Sequence, residues 1–291
     1  MIRTLIKLNV KRMCIAVIKK IHFNYLLLCL VWTAGFFHPA IGQSERPDQS
    51  LTQPTTTATW NGLYGKFRLG NRLYWDAQFH YRRVSSDDTP LVGRMGQIYN
   101  RHALNYQVND RLAVALGGVL RLNFTPDPGN PAFEDMVLEP RVWHEYLFAM
   151  PFNIGMAYHR IRIEHRWNRS NDVGADWIFR NRWRYKFYMN IPLNNRKLIP
   201  GTFMFTPDVE IIMQSGKPVI DSPLEDFRVN PSIGYIHSPR LKYSVGMMYT
   251  TGQTLGAGYM YTSRWVLRTN IYLSLDFRKK QSRIPGVRLF D

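Results

Sequence analysis

The chain is short of cysteine, of acid and of long apolar runs, and each shortage removes a class of protein. Its two cysteines, Cys14 and Cys29, both precede the first acid, Glu45. Beyond them no sulfur remains for a disulfide framework, a thiolate metal site or a cysteine nucleophile. Against 38 Lys and Arg stand only 21 Asp and Glu, a formal net charge of +17. After the first forty residues or so, no apolar run approaches the roughly 20 residues of a membrane helix. That excludes a helical membrane protein but not a strand-built one, which shows lipid only every second residue. Also missing are a Gly-x-Ser-x-Gly elbow, a glycine-rich phosphate loop, a calcium loop and clustered His/Cys/carboxylate ligands. No catalytic residue, metal or cofactor is therefore expected.

The N-terminus reads as an export signal. Arg3, Lys7, Lys11, Arg12, Lys19 and Lys20 form a basic region, and an apolar stretch follows from Phe23 to Phe37. It ends at Ala40-Ile41-Gly42, the small-x-small pattern a signal peptidase cuts, so residues 1–42 are assigned to a signal peptide. Met13 is an alternative start that leaves a signal of ordinary length. An uncleaved anchor is the competing reading, but at about 15 residues the apolar stretch is short for a span. Both cysteines leave with this segment, and so do six basic residues, lowering the net charge from +17 to +11. Residues 43–59, rich in Thr, Ser, Gln and Pro, read as a flexible polar leader, and 278–291 as a C-terminal tail.

Between them the chain alternates. In residues 178–190, Arg180, Arg182, Arg184 and Lys186 fall on one parity, and Phe179, Trp183, Tyr185, Phe187 and Met189 on the other. A strand sends successive side chains to opposite faces, so this segment has a cationic face and an aromatic one. The same pattern recurs at strand length from end to end. Leu73, Trp75, Ala77, Phe79 and Tyr81 oppose Asp76, Gln78, His80 and Arg82; Trp265, Leu267, Ile271, Leu273 and Leu275 oppose Arg268, Asn270 and Ser274. Large apolar groups on one face and charges on the other describe a barrel that is greasy outside and polar within. The expected fold is all-β: a transmembrane, antiparallel, up-and-down barrel over 60–277, with about twelve strands, or ten as second choice. Longer connections at 84–96, 124–135, 169–177 and 215–225 alternate with tight ones at 69–71, 109–110 and 238–240. Twelve strands with both ends on the periplasmic side would place the long connections there too, against the usual arrangement, so a miscount within 241–277 is suspected.

Arg162-Ile163-Glu164-His165-Arg166-Trp167, followed by Phe179-Arg180-Asn181-Arg182-Trp183-Arg184-Tyr185, resembles the bacterial family recorded as domain of unknown function 2490. Tyr81-Arg82, Ile191-Pro192-Leu193, Glu210 and Phe227-Arg228-Val229-Asn230 add to the resemblance, which spans roughly 60–277. That family consists of presumed outer-membrane β-barrels common in the Bacteroidetes. The resemblance implies architecture and an outer-membrane location, and it supplies no reaction.

The residues that stand out chemically are all charged and all inward by parity: Glu139, Arg141 and Glu145; Arg160, Arg162, Glu164 and Arg166; Arg180, Arg182, Arg184 and Lys186; Asp208 and Glu210. One account makes them a cationic strip that attracts small anionic solutes or lipopolysaccharide phosphates. The other makes them a ladder of Arg–carboxylate pairs filling a narrow barrel, and this one is preferred, with Arg162, Arg182 and Arg184 pairing Glu164, Glu139 and Glu210. The function expected is a small pore or a binding or structural barrel of the porin-like kind. A lipid-modifying enzyme of lipase or deacylase type is the alternative. The expected partners are outer-membrane lipid, lipopolysaccharide and the barrel-assembly machinery. Nucleic acid is not expected, because the charge is spread over every strand and a signal precedes it.

Overall fold

The computed structural model describes residues 55–126, 134–169, 174–219, 222–254 and 257–278. The stretch 1–42 expected to be a signal peptide, residues 43–54 of the expected leader and 279–291 of the expected tail lie outside these residues, while 56–59 belong to the first strand. Thirteen strands are present: β1 (Thr56–Arg68), β2 (Leu73–Val84), β3 (Arg94–Asn109), β4 (Leu112–Pro126), β5 (Glu134–Phe152), β6 (Gly155–Asn168) and β7 (Ile178–Pro192), then β8 (Phe203–Thr206), β9 (Asp208–Ser215), β10 (Leu224–Val229), β11 (Ser232–Ser238), β12 (Leu241–Thr254) and β13 (Ala257–Asp276). No helix of the described residues is long and apolar enough to cross a membrane, which says nothing about strands.

The strands form one closed sheet with eleven positions. β7 pairs with β8 near its end and with β9 along its start, so those two short strands share a position. β10 and β11 share another, both pairing with β12. Each break falls at a proline, Pro207 and Pro231, which has no N–H to give the ladder. The Asn230 amide bridges the breaks by donating to the Asp208 carbonyl at 2.8 Å. Closure comes from β1 pairing with β13 in parallel, Thr56 against Arg264 through Arg68 against Asp276.

Two expectations are corrected here. The count is eleven positions, neither twelve nor ten, because the segments 254–262 and 265–277 are a single strand, β13. Ser263 and Arg264 stay in the ladder opposite Thr251 and Thr250, the Ser263 hydroxyl meeting that of Tyr249 at 2.8 Å. The barrel is also not wholly antiparallel, since an odd number of positions forces one parallel seam. The same odd number removes the difficulty over the rims. β1 starts at the rim of 85–93, 127–133, 169–177, 216–223 and the two-residue 255–256, while β13 ends at the rim of the short turns 69–72, 110–111, 153–154 and 239–240 and of one longer connection, 193–202.

Burial follows parity. On β9 the pattern alternates strictly, Asp208, Glu210, Ile212 and Gln214 inward and Val209, Ile211 and Met213 outward. Leu116 is 63% exposed and Trp183 49%, whereas Glu164 is 0% and Arg162 2% exposed. A water-soluble sheet would show the reverse. The strands are steeply tilted: the paired positions Lys66, Asp76, Ala103, Gly117, Trp143, Glu164, Arg182 and Gln214 lead from near the short-turn end of β1 to near the long-connection end of β9.

Space inside is graded by side-chain size. The inner face of β4 carries Ala113, Ala115, Gly117 and Val119. A Cβ on Gly117 would lie 2.2 Å from the His102 carbonyl oxygen, so only glycine lets β3 and β4 approach there. These small residues leave room for Trp143, which is buried with Tyr99, Ala103, Ala115 and Val119.

Candidate functional site

The charges assigned to the inner face converge on one belt across the lumen, placed by the inward parity of β5, β6, β7 and β9. Glu164 of β6 is its centre. Within 4.0 Å of its carboxylate lie guanidinium nitrogens of Arg141 (2.6 Å), Arg184 (2.8 Å), Arg182 (3.6 Å), Arg101 (3.9 Å) and Arg162 (4.0 Å). Glu139 takes Arg121 at 3.0 Å, Arg141 at 2.6 Å and Arg166 at 2.9 Å. Glu145 takes Arg162 at 2.6 Å, and Glu210 takes Arg160 at 2.7 Å, Arg184 at 2.8 Å and Arg228 at 3.5 Å. Lys186 meets Asp208 at 2.8 Å. Arg180 shares the inward face but makes no ion pair among the described residues.

The pairing differs from the ladder expected. Arg184 does hold Glu164 and Glu210, but Arg162 turns mainly to Glu145. Arg182 binds Glu225, which also receives Arg166 at 3.0 Å. Parity could not place Glu225, because the register shifts between Leu224 and Asp226 and the bulge aims its carboxylate inward. Asp226 and Arg228, paired to each other on the same strand, do obey parity and could have been read from it.

Arginine outnumbers acid in the belt, and aromatic faces take up part of the excess. The Arg82 guanidinium lies 3.6 Å from the ring centroid of Trp60 and 4.4 Å from that of Tyr99, and Arg162 lies 4.3 Å from Trp143. Arg228 of β10, three positions round the sheet from β1, also reaches Trp60, at 5.3 Å. Arg82, Arg101 and Arg121 stand on β2, β3 and β4, away from the arginine-rich strands. Arg121 pairs with Glu139 directly opposite it on neighbouring β5, whereas Arg101 reaches Glu164 of β6 from three positions away, which the narrowness of an eleven-position barrel allows.

Against the short-turn side of the belt, walled in part by its Arg101, Arg162, Arg182 and Arg184, lies a cavity of about 340 Å³. Its lining runs to Leu198, Pro200, Pro239 and Arg240 at the short-turn rim and, among the described residues, includes none of the longer connections at the other rim. The connection 193–202 closes part of the mouth. It is fixed by Thr202, whose hydroxyl receives the Asn195 amide at 2.9 Å, and by the Gly201 N–H, which donates to the Ile236 carbonyl at 2.8 Å. Two tyrosine pairs stack along the wall, Tyr64 with Tyr272 and Tyr158 with Tyr188, at 4.8 Å and 4.7 Å between centroids.

His80 faces this space edge-on to Tyr64, while His144 and His165 lie 6.0 Å apart on the outer face. Among the described residues no three His, Cys, Asp or Glu side chains are grouped to hold a metal ion. A family model described as a protein of unknown function (DUF2490) matches residues 57–261. No curated protein matches the chain.

Proposed function

This chain belongs to the DUF2490 family, and we propose that it is an outer-membrane barrel that binds a solute in a closed cup rather than conducting one through a pore. The observation that carries the reading is the burial of Glu164 at 0% exposure, with five arginines around it at mid-lumen. We read carboxylates and guanidiniums in such contact as closing the bore to a continuous water path. The outward apolar side chains, Leu104, Leu116, Val142 and Trp183 among them, suit a hydrocarbon surround. With short turns on the periplasmic side, as bacterial barrels place them, the cup opens to the periplasm. Lipopolysaccharide and outer-membrane lipid would then surround the barrel, and the assembly machinery would insert it. The cup's residues bind and do no chemistry.

The test has two parts. The protein should fractionate with the outer membrane and migrate differently on gels before and after heating. Inserted into a planar bilayer, it should show no stable ohmic conductance. A steady open channel would refute the closed cup, and recovery in the soluble fraction would refute the location.

A further inference from the structure

We infer that the cup's ligand is a small anionic sugar, a sugar acid or a sugar phosphate, entering from the short-turn rim; this rests on the reading of the barrel as a closed cup. Three features of the wall converge on that chemistry.

The first is charge. Twelve arginines and lysines line the cavity against four carboxylates, and seven of the twelve (Arg101, Arg160, Arg162, Arg182, Arg184, Lys186 and Arg228) are paired with acids in or beside it. Three of those acids are already engaged, Glu145 and Glu210 by arginines and Asp208 by Lys186. Arg268 of β13 lines the cavity and makes no ion pair among the described residues. A confined site with such an excess draws anions.

The second is shape. The stacked pair Tyr64–Tyr272 belongs to β1 and β13, and the pair Tyr158–Tyr188 to β6 and β7. In the order of the sheet these stand about half a circuit apart, so the two pairs face each other. Ammonium groups sit over both, Lys242 at 4.6 Å from Tyr272 and Lys186 at 5.5 Å from Tyr188. Each stack thus brings aromatic surface and a cation together on the wall, a pairing that suits a ring carrying negative charge. A volume near 340 Å³ suits one small molecule.

The third is hydrogen bonding. Cavity-lining side chains contain buried polar atoms that lack partners, and they are of both kinds. Asp76 Oδ1, Asn105 Oδ1 and Asn230 Oδ1 are acceptors, and Arg82 Nε and Arg101 Nε are donors. A bare anion would satisfy the donors alone. A polyhydroxylated anion supplies donors and acceptors together, which a wall with both demands requires.

The experiment is titration calorimetry of the purified full barrel in detergent with four probes: glucose 6-phosphate, glucuronate, glucose and inorganic phosphate. At least one of the two charged sugars should bind ten times or more tightly than either glucose or phosphate. Arg268→Gln should reduce that affinity to the level of glucose, and Tyr188→Leu to the level of phosphate, with thermal melts confirming that both variants fold. Phosphate binding as tightly as the charged sugars would overturn the sugar and leave an anion cup. Heat from none of the four would overturn the inference, while the closed cup would still stand or fall by bilayer conductance. Equal affinity in both folded variants would place any binding elsewhere and also overturn it.

Discussion

Toward the longer connections the lumen holds Glu139, Glu164 and Glu225, each contacted by two to five arginines; toward the short turns it holds Lys66, Lys242, Arg268, Tyr188 and Tyr272 around a cavity. The two regions are built from the same strands and the same inward parity. What separates them is the ratio of acid to base and the size of the neighbours. Where glutamates are dense and β4 offers alanine and glycine, guanidiniums close on carboxylates and fill the bore. Where acids thin out and tyrosines line the wall, the same cations leave a space. A barrel of one diameter can thus be plug and cup together, and the first should carry stability while the second carries recognition.

The largest expected effect breaks the plug. Glu164→Gln removes one negative charge from among five arginines, and breaking a buried pair costs about 3–5 kcal/mol. Asp76→Asn in the cup, where the carboxylate meets Asn105 at 3.0 Å, should cost about 1 kcal/mol, the worth of one ordinary hydrogen bond. Urea unfolding of the two variants in detergent measures both, and equal losses would erase the distinction between the regions. Glu210→Gln, contacted by Arg160, Arg184 and Arg228 at the boundary, should fall between them.

Next comes the contrast between inside and outside. Leu116→Arg or Ile271→Arg should cost about 2–4 kcal/mol if those outward side chains meet hydrocarbon near the midplane. Ser274→Arg, on the cup wall, should cost far less because that face is already polar. The folded fraction recovered in lipid vesicles reads the difference.

Smaller still is Arg82→Lys, which keeps the charge but loses the flat stack over Trp60 at 3.6 Å. About 0.5–2 kcal/mol should go with it, visible as a modest fall in melting temperature. Arg240→Gln, in the exposed turn at the cup mouth, should change stability by no more than about 0.5 kcal/mol.

Most of this was legible in the chain because alternation is a local signal. Arg180 to Lys186 against Phe179 to Met189 fixes both faces of β7 without any structure. Alternation is blind to strand direction, however, so nothing in β1 or β13 announces a parallel seam. It is also blind to continuity, which is how β13 came to be counted as two strands. The belt residues on β5 to β9 were visible as charges of one parity. Their partners were less so: Arg101 meets Glu164 from three positions away, and Glu225 reaches the belt through a bulge that breaks the period. The cup had no signature at all, since its wall is assembled from single residues on nearly every strand.

The division of the lumen is tested most directly by side-specific labelling. In a Cys14→Ser/Cys29→Ser background, single cysteines are placed at Ser274 in the cup, at Arg240 in the short turn beside its mouth and at Asp87 in a connection at the far rim. Proteoliposomes of fixed orientation are treated with a membrane-impermeant thiol reagent on one face at a time. The account predicts that Ser274→Cys reacts only from the face that labels Arg240→Cys. Reaction of Ser274→Cys at a similar rate from the face that labels Asp87→Cys would mean that the belt does not seal the barrel.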